Sequence, residues 1–347
     1  MKIIVIGAGI FGVSTSIKLS EMNYDVTLVE TNSSIMGNAS KCNHNRLHLG
    51  YHYPRSYSTA KQSLDGYALF QSEFKNSILK NFPNYYLVDR NGKVSSTEYE
   101  TFCGDLELDY TKETPDIDIN LDNIDLSLLT KEPIFDFNSI KDNLTNRLTN
   151  SNVKTILNHT IVNKDELNDY DVIINTTYKN INKINSLFEI TPIKLKLQDV
   201  IVPIFKCNME RVGLTIMDGE FCSILPKGFD INTFLLYSVK HSVIRQYEGY
   251  EVPSEWETDE VDVTESIDKI YSESTKYFYF LKDSERINYW RTIRALPINE
   301  DDERLSSLTL NEVGDKKIIS LLSGKITTCW LMADKIYKLL DEDNINR

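Results

Sequence analysis

The sequence predicts an α/β fold of two interleaved parts, one built on parallel strands and the other an α+β unit on a mainly antiparallel sheet. Three observations predict it. The chain opens on an apolar strand, a glycine turn and a helix, "KIIVIGAGIFGVSTSIKLS". Strand–helix alternation returns over about 135–190 and again at the C-terminus. Between these stretches lie strand-rich segments such as "IKLKLQDVIVPIFKC" and "FLLYSVKHS". The 347 residues suffice for one large domain or two sharing a core, with no Pro- or Ser-rich linker and no internal repeat.

Each element has a local reason. "KIIVI" (2–6) has strand length, and Gly7, Gly9 and Gly12 follow at once. In the next helix Val13 and Ile17 lie four apart and Leu19 and Met22 three apart, so both pairs are expected on one face. "DVTLVE" (25–30) is a second strand ending in an acid, 23 residues after Gly7. A helix is expected from about Ser58 through "SEFKNSILK", with Ala60, Leu64, Ala68, Phe74 and Ile78 inward. "NYYLVDRNGKVSS" reads as strand, Asn-Gly turn and second strand. The acidic stretch 104–135 gives no clear pattern. "DFNSIKDNLTNRLTN" carries Ile140, Leu144 and Leu148 at helical spacing; "VKTILNHTIV" and "YDVIINTTY" read as strands. Asp218-Gly219 suits a hairpin turn, "DVTESIDKIYSESTKYF" a helix, "KKIISLLSG" a strand and "KITTCWLMADKIYKLL" the closing helix, with Cys329 in its core face.

Composition narrows the function classes. The formal net charge of −13 argues against general binding to nucleic acid or anionic membranes, though not against a local basic pocket. No apolar run reaches membrane-span length, and the glycines of the opening suit a turn better than a signal peptide. The five cysteines are scattered, with no CxxC, so neither zinc nor a disulfide framework is expected. A cytoplasmic protein fits.

The opening motif carries chemistry. Gly7 permits a tight turn, Gly9 lets backbone approach a pyrophosphate, and Gly12 lets helix and strand pack. The helix start, with Ile10 and Phe11, offers N–H groups and a positive dipole end to phosphate. Glu30 sits where a carboxylate accepts from adenosine ribose hydroxyls. It disfavours NADP but does not separate NAD from FAD.

Four motifs in order separate them: "VIGAGIFGVSTSIKLS…VTLVE", "NASKCNHNRLHLGYHY", "HTIV…DVIINTTY" and "LLSGKITTCWLMADKI". Together they resemble the FAD-dependent oxidoreductases of the D-amino-acid oxidase superfamily, including glycine and sarcosine oxidases and flavin-linked glycerol-3-phosphate dehydrogenase. The resemblance spans the chain and loosens over about 190–290. It implies a Rossmann-like FAD-binding domain (1–85, 135–190 and 295–347) interleaved with a substrate domain (86–134 and 191–294). It also implies that Ser40, Asn45, Arg46 and Leu47 run along the flavin, that Val162 and Thr176 lie at the adenine and strand-end positions, and that Gly324, Lys325, Ile326 and Thr327 form the turn at the flavin ring.

For catalysis, His48 and His52 lie four apart, and each is expected to exchange protons near neutral pH. Tyr51 and Tyr53 offer aromatic walls with polar tips. His48 is expected nearer the chemistry than His44. Taken singly, each histidine reads equally as a structural one. Thr327 or Thr328 is expected to cap the last helix. On the substrate side, "LTIMDGEFCSILPKG" and "YWRTIRALP" are expected to bracket the pocket, with Arg291 and Arg294, then Arg304 in "DDERLS", as candidate carboxylate partners. The expected activity is an FAD-dependent oxidase or dehydrogenase removing a hydride from a C–N or C–O carbon of a small polar substrate, with oxygen or another carrier as acceptor. The alternative is a non-redox flavin lyase or mutase on a modified sugar, amino acid or nucleotide.

Overall fold

A computed structural model describes residues 1–258, 260–298 and 304–345. Two large sheets organise them. The first has six strands, and its core order follows from the opening motif. Lys2–Ile6 lies between Asp25–Val29 and Val172–Asn175, all parallel, with Lys316–Leu322 and Lys154–Ile156 outside them, also parallel. Ser307–Val313 adds an antiparallel edge. The inner strands are buried on both faces, as a parallel sheet covered by helices requires. Helix Ile10–Glu21 packs on helix Cys329–Ile345, so the chain's two ends close one core.

The second sheet has nine strands. Its long strand Leu195–Lys206 pairs with Glu285–Pro297 along one edge, and with Val243–Gly249 and then Thr233–Ser238 along the other. Cys222–Pro226, Gly213–Met217, Asn84–Asp89, Ile124–Thr130 and Tyr110–Lys112 continue it. Every pairing is antiparallel except Asn84–Asp89 against Gly213–Met217. Asp218 and Gly219 turn the Gly213–Met217/Cys222–Pro226 hairpin, as expected.

Four local expectations are corrected. Met22 is exposed while Leu19 is fully buried, because helix Ile10–Glu21 ends one residue before Met22. The second helix is Tyr57–Glu73 and stops before "KNSILK"; Ile78–Leu79 instead pairs with Ile134–Phe135. "KVSS" is no strand: Ser95 caps helix Ser96–Asp105 through a capping box with Glu98. The "VKTILNHTIV" strand is confined to Lys154–Ile156. Among the described residues no helix is long and apolar enough to cross a membrane. The five cysteines are free thiols.

Candidate active site

A cleft of about 1050 Å³ runs between the two sheets. One end is the glycine turn. Gly7 has φ +100°, and a Cβ there would lie 2.9 Å from the Thr176 carbonyl oxygen. A Cβ on Gly12 would lie 1.9 Å from the Gly7 carbonyl oxygen, so helix and turn touch through bare backbone. Gly9 differs. A Cβ there meets only Ser40 Oγ, at 3.4 Å, so its missing side chain opens onto the cleft. Ile10 N–H donates to the same Ser40 Oγ at 3.0 Å. Glu30 also lines the cleft; its carboxylate accepts from Ala8 N–H at 2.7 Å and from the Asn32 amide groups.

The segment 42–56 crosses the cleft between the sheets, and Arg46, His48 and His52 line it. So does Tyr53, whose hydroxyl lies 3.4 Å from His48 Nε2 and whose ring carries Lys325 Nζ at 4.5 Å from its centre. The Nδ1 atoms of His48 and His52 are buried and have no protein partner. His44 is committed at both nitrogens. Its Nε2 is 2.8 Å from the Leu235 carbonyl oxygen, which only accepts, so Nε2 carries the proton and Nδ1 accepts from Ser223 Oγ at 3.4 Å.

Burial, reinforced first by Lys325 and then by His52, Arg46 and Arg304, pushes His48 well below the usual imidazole range. Burial and then Arg46, Lys325 and Arg304 do the same to His52. Burial and then Arg46 lower His44 to about 3. The expectation of proton exchange near pH 7 is therefore corrected. In the ligand-free cleft these imidazoles are neutral, because a charged ring would lose its water and face cations. Cys42, also at the cleft, is pushed up to about 11 by burial and stays a thiol.

Several expected site residues lie elsewhere. Tyr51 turns into the core, its hydroxyl donating to the Asp109 carbonyl. Leu47 is fully buried in the main core, and Asn45 sits behind the cleft wall. Val162 is 70% exposed, because the chain turns there into the Asn163 cap; His159, Thr160 and Ile161 line the cleft instead. Thr176, Gly324, Lys325 and Ile326 line it, but Thr327 is buried with a hydroxyl that has no partner. The Thr328 hydroxyl, directly before the last helix, donates to the Lys325 carbonyl. Gly324 is tight for an internal reason, since a Cβ would lie 2.0 Å from the Arg304 carbonyl oxygen.

The two arginines of Glu285–Pro297 have opposite surroundings. Arg291 faces away from the cleft and pairs with the buried Asp199, Nη2 to Oδ2 at 2.7 Å, beside Arg245. Arg294 lines the cleft. Its Nε and Nη2 both donate to Gln198 Oε1, at 3.1 and 2.7 Å, and Nη2 also reaches the Tyr237 hydroxyl at 3.0 Å. Arg304 lines the cleft too, while residues 301–303 of "DDERLS" lie outside the described residues.

The residues present fit an FAD: a bare-backbone opening at Gly9 for a pyrophosphate, a carboxylate at the end of the second strand, and two unpartnered imidazole nitrogens on the wall. Residues 2–110 match the family model DAO, FAD dependent oxidoreductase. That match covers the N-terminal third of the chain. The whole chain is 21% identical over 352 residues to the FAD-dependent monooxygenase FPY4 of Fusarium mangiferae, covering 98% of this chain and 91% of that protein. Its fold matches glycine oxidase from Geobacillus kaustophilus with a TM-score of 0.77 at 10% identity, covering 98% and 94% of the two chains. It matches the L-α-glycerophosphate oxidase from Mycoplasma pneumoniae with a TM-score of 0.74 at 14% identity, covering 98% and 94%. The match over residues 2–110 supports an enzyme of the FAD-dependent oxidase or dehydrogenase type with FAD as its cofactor.

Sequence reasoning missed Gln198, Tyr237, Ser223, Ile161 and Glu132. The alternation Lys196, Gln198, Val200, Val202 places Gln198 on one face of its strand, a usable signal. Ile161 lies in the quoted "HTIV", one residue before the expected Val162; Tyr237 and Ser223 reach the cleft, and Glu132 the buried Arg46, only through long-range packing.

Proposed function

We propose that this flavoenzyme removes a hydride from a C–N or C–O carbon of a small anionic substrate whose anion is held by Arg294. The observation that carries the reading is the contrast on one strand. Arg291 is engaged by the buried Asp199, which it shares with Arg245, whereas Arg294 is oriented by the neutral oxygens of Gln198 and Tyr237 and faces the cleft. A guanidinium fixed in place with its charge uncancelled by these partners is preorganised for a carboxylate or phosphate. Glycine oxidase and L-α-glycerophosphate oxidase, both with this fold, act by their names on an amino acid and a glycerol phosphate.

On this reading the start of helix Ile10–Glu21 holds the pyrophosphate, Glu30 the ribose, and the Gly324–Ile326 turn the ring, with Lys325 as the charge beside it. Bound there, FAD would supply the hydride acceptor. Neutral His48 takes the proton that leaves the substrate nitrogen or oxygen, since its Nδ1 is uncommitted and its Nε2 leans on the Tyr53 hydroxyl. His44 has no nitrogen to spare and holds the second sheet in place. A cytoplasmic location fits the free thiols.

An anaerobic screen over amino acids, amines, hydroxy acids and sugar phosphates, read by loss of flavin absorbance, tests the reading. A carboxylate or phosphate substrate should bleach the flavin. Arg294→Met should then raise its KM by roughly 100-fold, about 3 kcal/mol of charge-assisted binding. Bleaching only by neutral or cationic compounds, or an unchanged KM in Arg294→Met, defeats it. Return of the flavin to its oxidised form at the end of an anaerobic turnover would mark the lyase or mutase alternative.

A further inference from the structure

Beneath the cleft lies an ion pair that the flavin reading does not use. Arg46 is 4% exposed and Glu132 is 1% exposed, and Nη1 lies 2.9 Å from Oε1. The other carboxylate oxygen, Oε2, accepts from Leu49 N–H at 2.9 Å. Glu132 thus grips the chain on both sides of His48. The Arg46 guanidinium also donates from Nη2 to Thr215 Oγ1 at 2.6 Å, and the Tyr86 hydroxyl contacts both members of the pair. Backbone bonds extend the grip. Leu47 N–H donates to the Pro133 carbonyl at 3.0 Å and Phe135 N–H to the Asn45 carbonyl at 2.9 Å, while Asn84 Nδ2 holds the Glu132 carbonyl at 2.8 Å. Arg46 and Thr215 line the cleft; Glu132 lies behind them.

We propose that Glu132 is the positioning residue of this active site: it holds the Arg46–Leu49 segment from behind and cancels the Arg46 charge at the cleft wall. The inference rests on the reading of His48 and the flavin given above. A buried ion pair is an expensive way to fill space, since both groups lose their water, and apolar residues of the same volume usually pack as stably. What the pair supplies is a fixed guanidinium with no net charge. The groups that bear on His48 are the cations Lys325, Arg46 and Arg304, with the neutral His52 and Tyr53 beside it. Glu132 is the anion of the Arg46 pair, so the charge that His48 and the cofactor ring feel depends on it.

Two single substitutions then act in opposite directions. Glu132→Gln keeps the shape and leaves Arg46 uncancelled, so the cleft becomes more positive. Arg46→Met removes the cation and leaves the Glu132 carboxylate uncancelled, so the cleft becomes more negative. In FAD-loaded protein the two-electron midpoint potential, measured against a reference dye, should rise in Glu132→Gln and fall in Arg46→Met. Each shift should be about tenfold in the reduction equilibrium, roughly 30 mV. The Glu132→Gln/Arg46→Met double variant should return most of the way. In ligand-free protein carrying ¹³C-labelled histidine, the His48 titration should move up in Arg46→Met and should not in Arg46→Lys.

Shifts of the same sign in both single variants, or unmoved potentials in variants that melt cooperatively, would overturn the proposal and leave the pair a packing feature. Damage to folding moves both variants the same way, so the opposite signs and the double variant guard against it. Failure of the wild-type protein to take up FAD would instead defeat the flavin reading, and the histidine titration would still decide the role of the pair.

Discussion

Gly9 and Glu30 make opposite tests of the cofactor end. Gly9→Val places a branched side chain in the space that opens onto the cleft, and FAD binding should be lost while the apoprotein still melts cooperatively. Purified wild-type protein should be yellow and release FAD on denaturation; recovery of NAD alone would contradict the assignment. Glu30→Gln should weaken FAD by about 1–3 kcal/mol, roughly 5- to 150-fold in Kd, because charge-assisted bonds to the ribose become neutral ones. Glu30 also accepts from Ala8 N–H, so a small drop in Tm should accompany it. At the other end, His48→Ala should slow flavin reduction about 100-fold or more, and His44→Ala should do less to reduction and more to stability. That contrast follows from the bonds: His44 spends both nitrogens on Leu235 and Ser223, whereas His48 keeps Nδ1 unpartnered. Wild-type stopped-flow reduction in a folded His48→Ala protein would make His48 structural.

Among the elements, helix Tyr57–Glu73 presses directly on the turn that the cofactor ring would meet. A Cβ on Gly66 would lie 2.6 Å from the Thr327 carbonyl oxygen, an atom of rigid backbone. Gly66→Ala should therefore cost about 1–3 kcal/mol of stability and also weaken FAD, since the Lys325 turn must move with the helix. Gly104, in helix Ser96–Asp105, meets nothing within 4 Å, so Gly104→Ala should stabilise by about 0.5–1 kcal/mol and leave FAD alone. Urea melts of the two variants, with FAD titrations, separate contact from propensity; similar effects on both would contradict the packing described.

The molecule as a whole should be acid-sensitive in its ligand-free form. His44, His48 and His52 sit below the ordinary imidazole value of about 6.5 when folded, His44 at about 3. The unfolded chain therefore binds protons that the folded chain refuses. Stability is unaffected by these groups above pH 6.5 and falls as pH drops below it, by up to about 1.4 kcal/mol per pH unit for each histidine until its folded pKa is reached. Urea unfolding at pH 7.0, 6.0 and 5.0 checks this. A flat profile in wild type, or no relief in His44→Ala, would count against neutral buried imidazoles.

The sequence by itself determined the βαβ opening, the strand-rich middle and the C-terminal strand and helix. Local signals fix these: alternating or helical apolar spacing, and glycines where backbone must touch backbone. It also named residues that the structure brings to one cleft, because the Gly7–Gly12 turn and Glu30 are local features of one βαβ unit, and His48 and Arg294 were among its candidates. Tertiary structure alone decided what those candidates face. Arg291 and Arg294 look alike in "YWRTIRALP", and only the pairing of their strand with Leu195–Lys206 sets one beside Asp199 and the other beside Gln198. Tyr51 and Tyr53 look alike in "GYHY", and only the Asp109 carbonyl draws the first inward. Glu132 lay in a stretch with no pattern at all, and it meets Arg46 across 86 residues of chain. Whether a polar side chain is spent on the protein or left for a ligand depends on partners distant in sequence, and neither composition nor spacing records them.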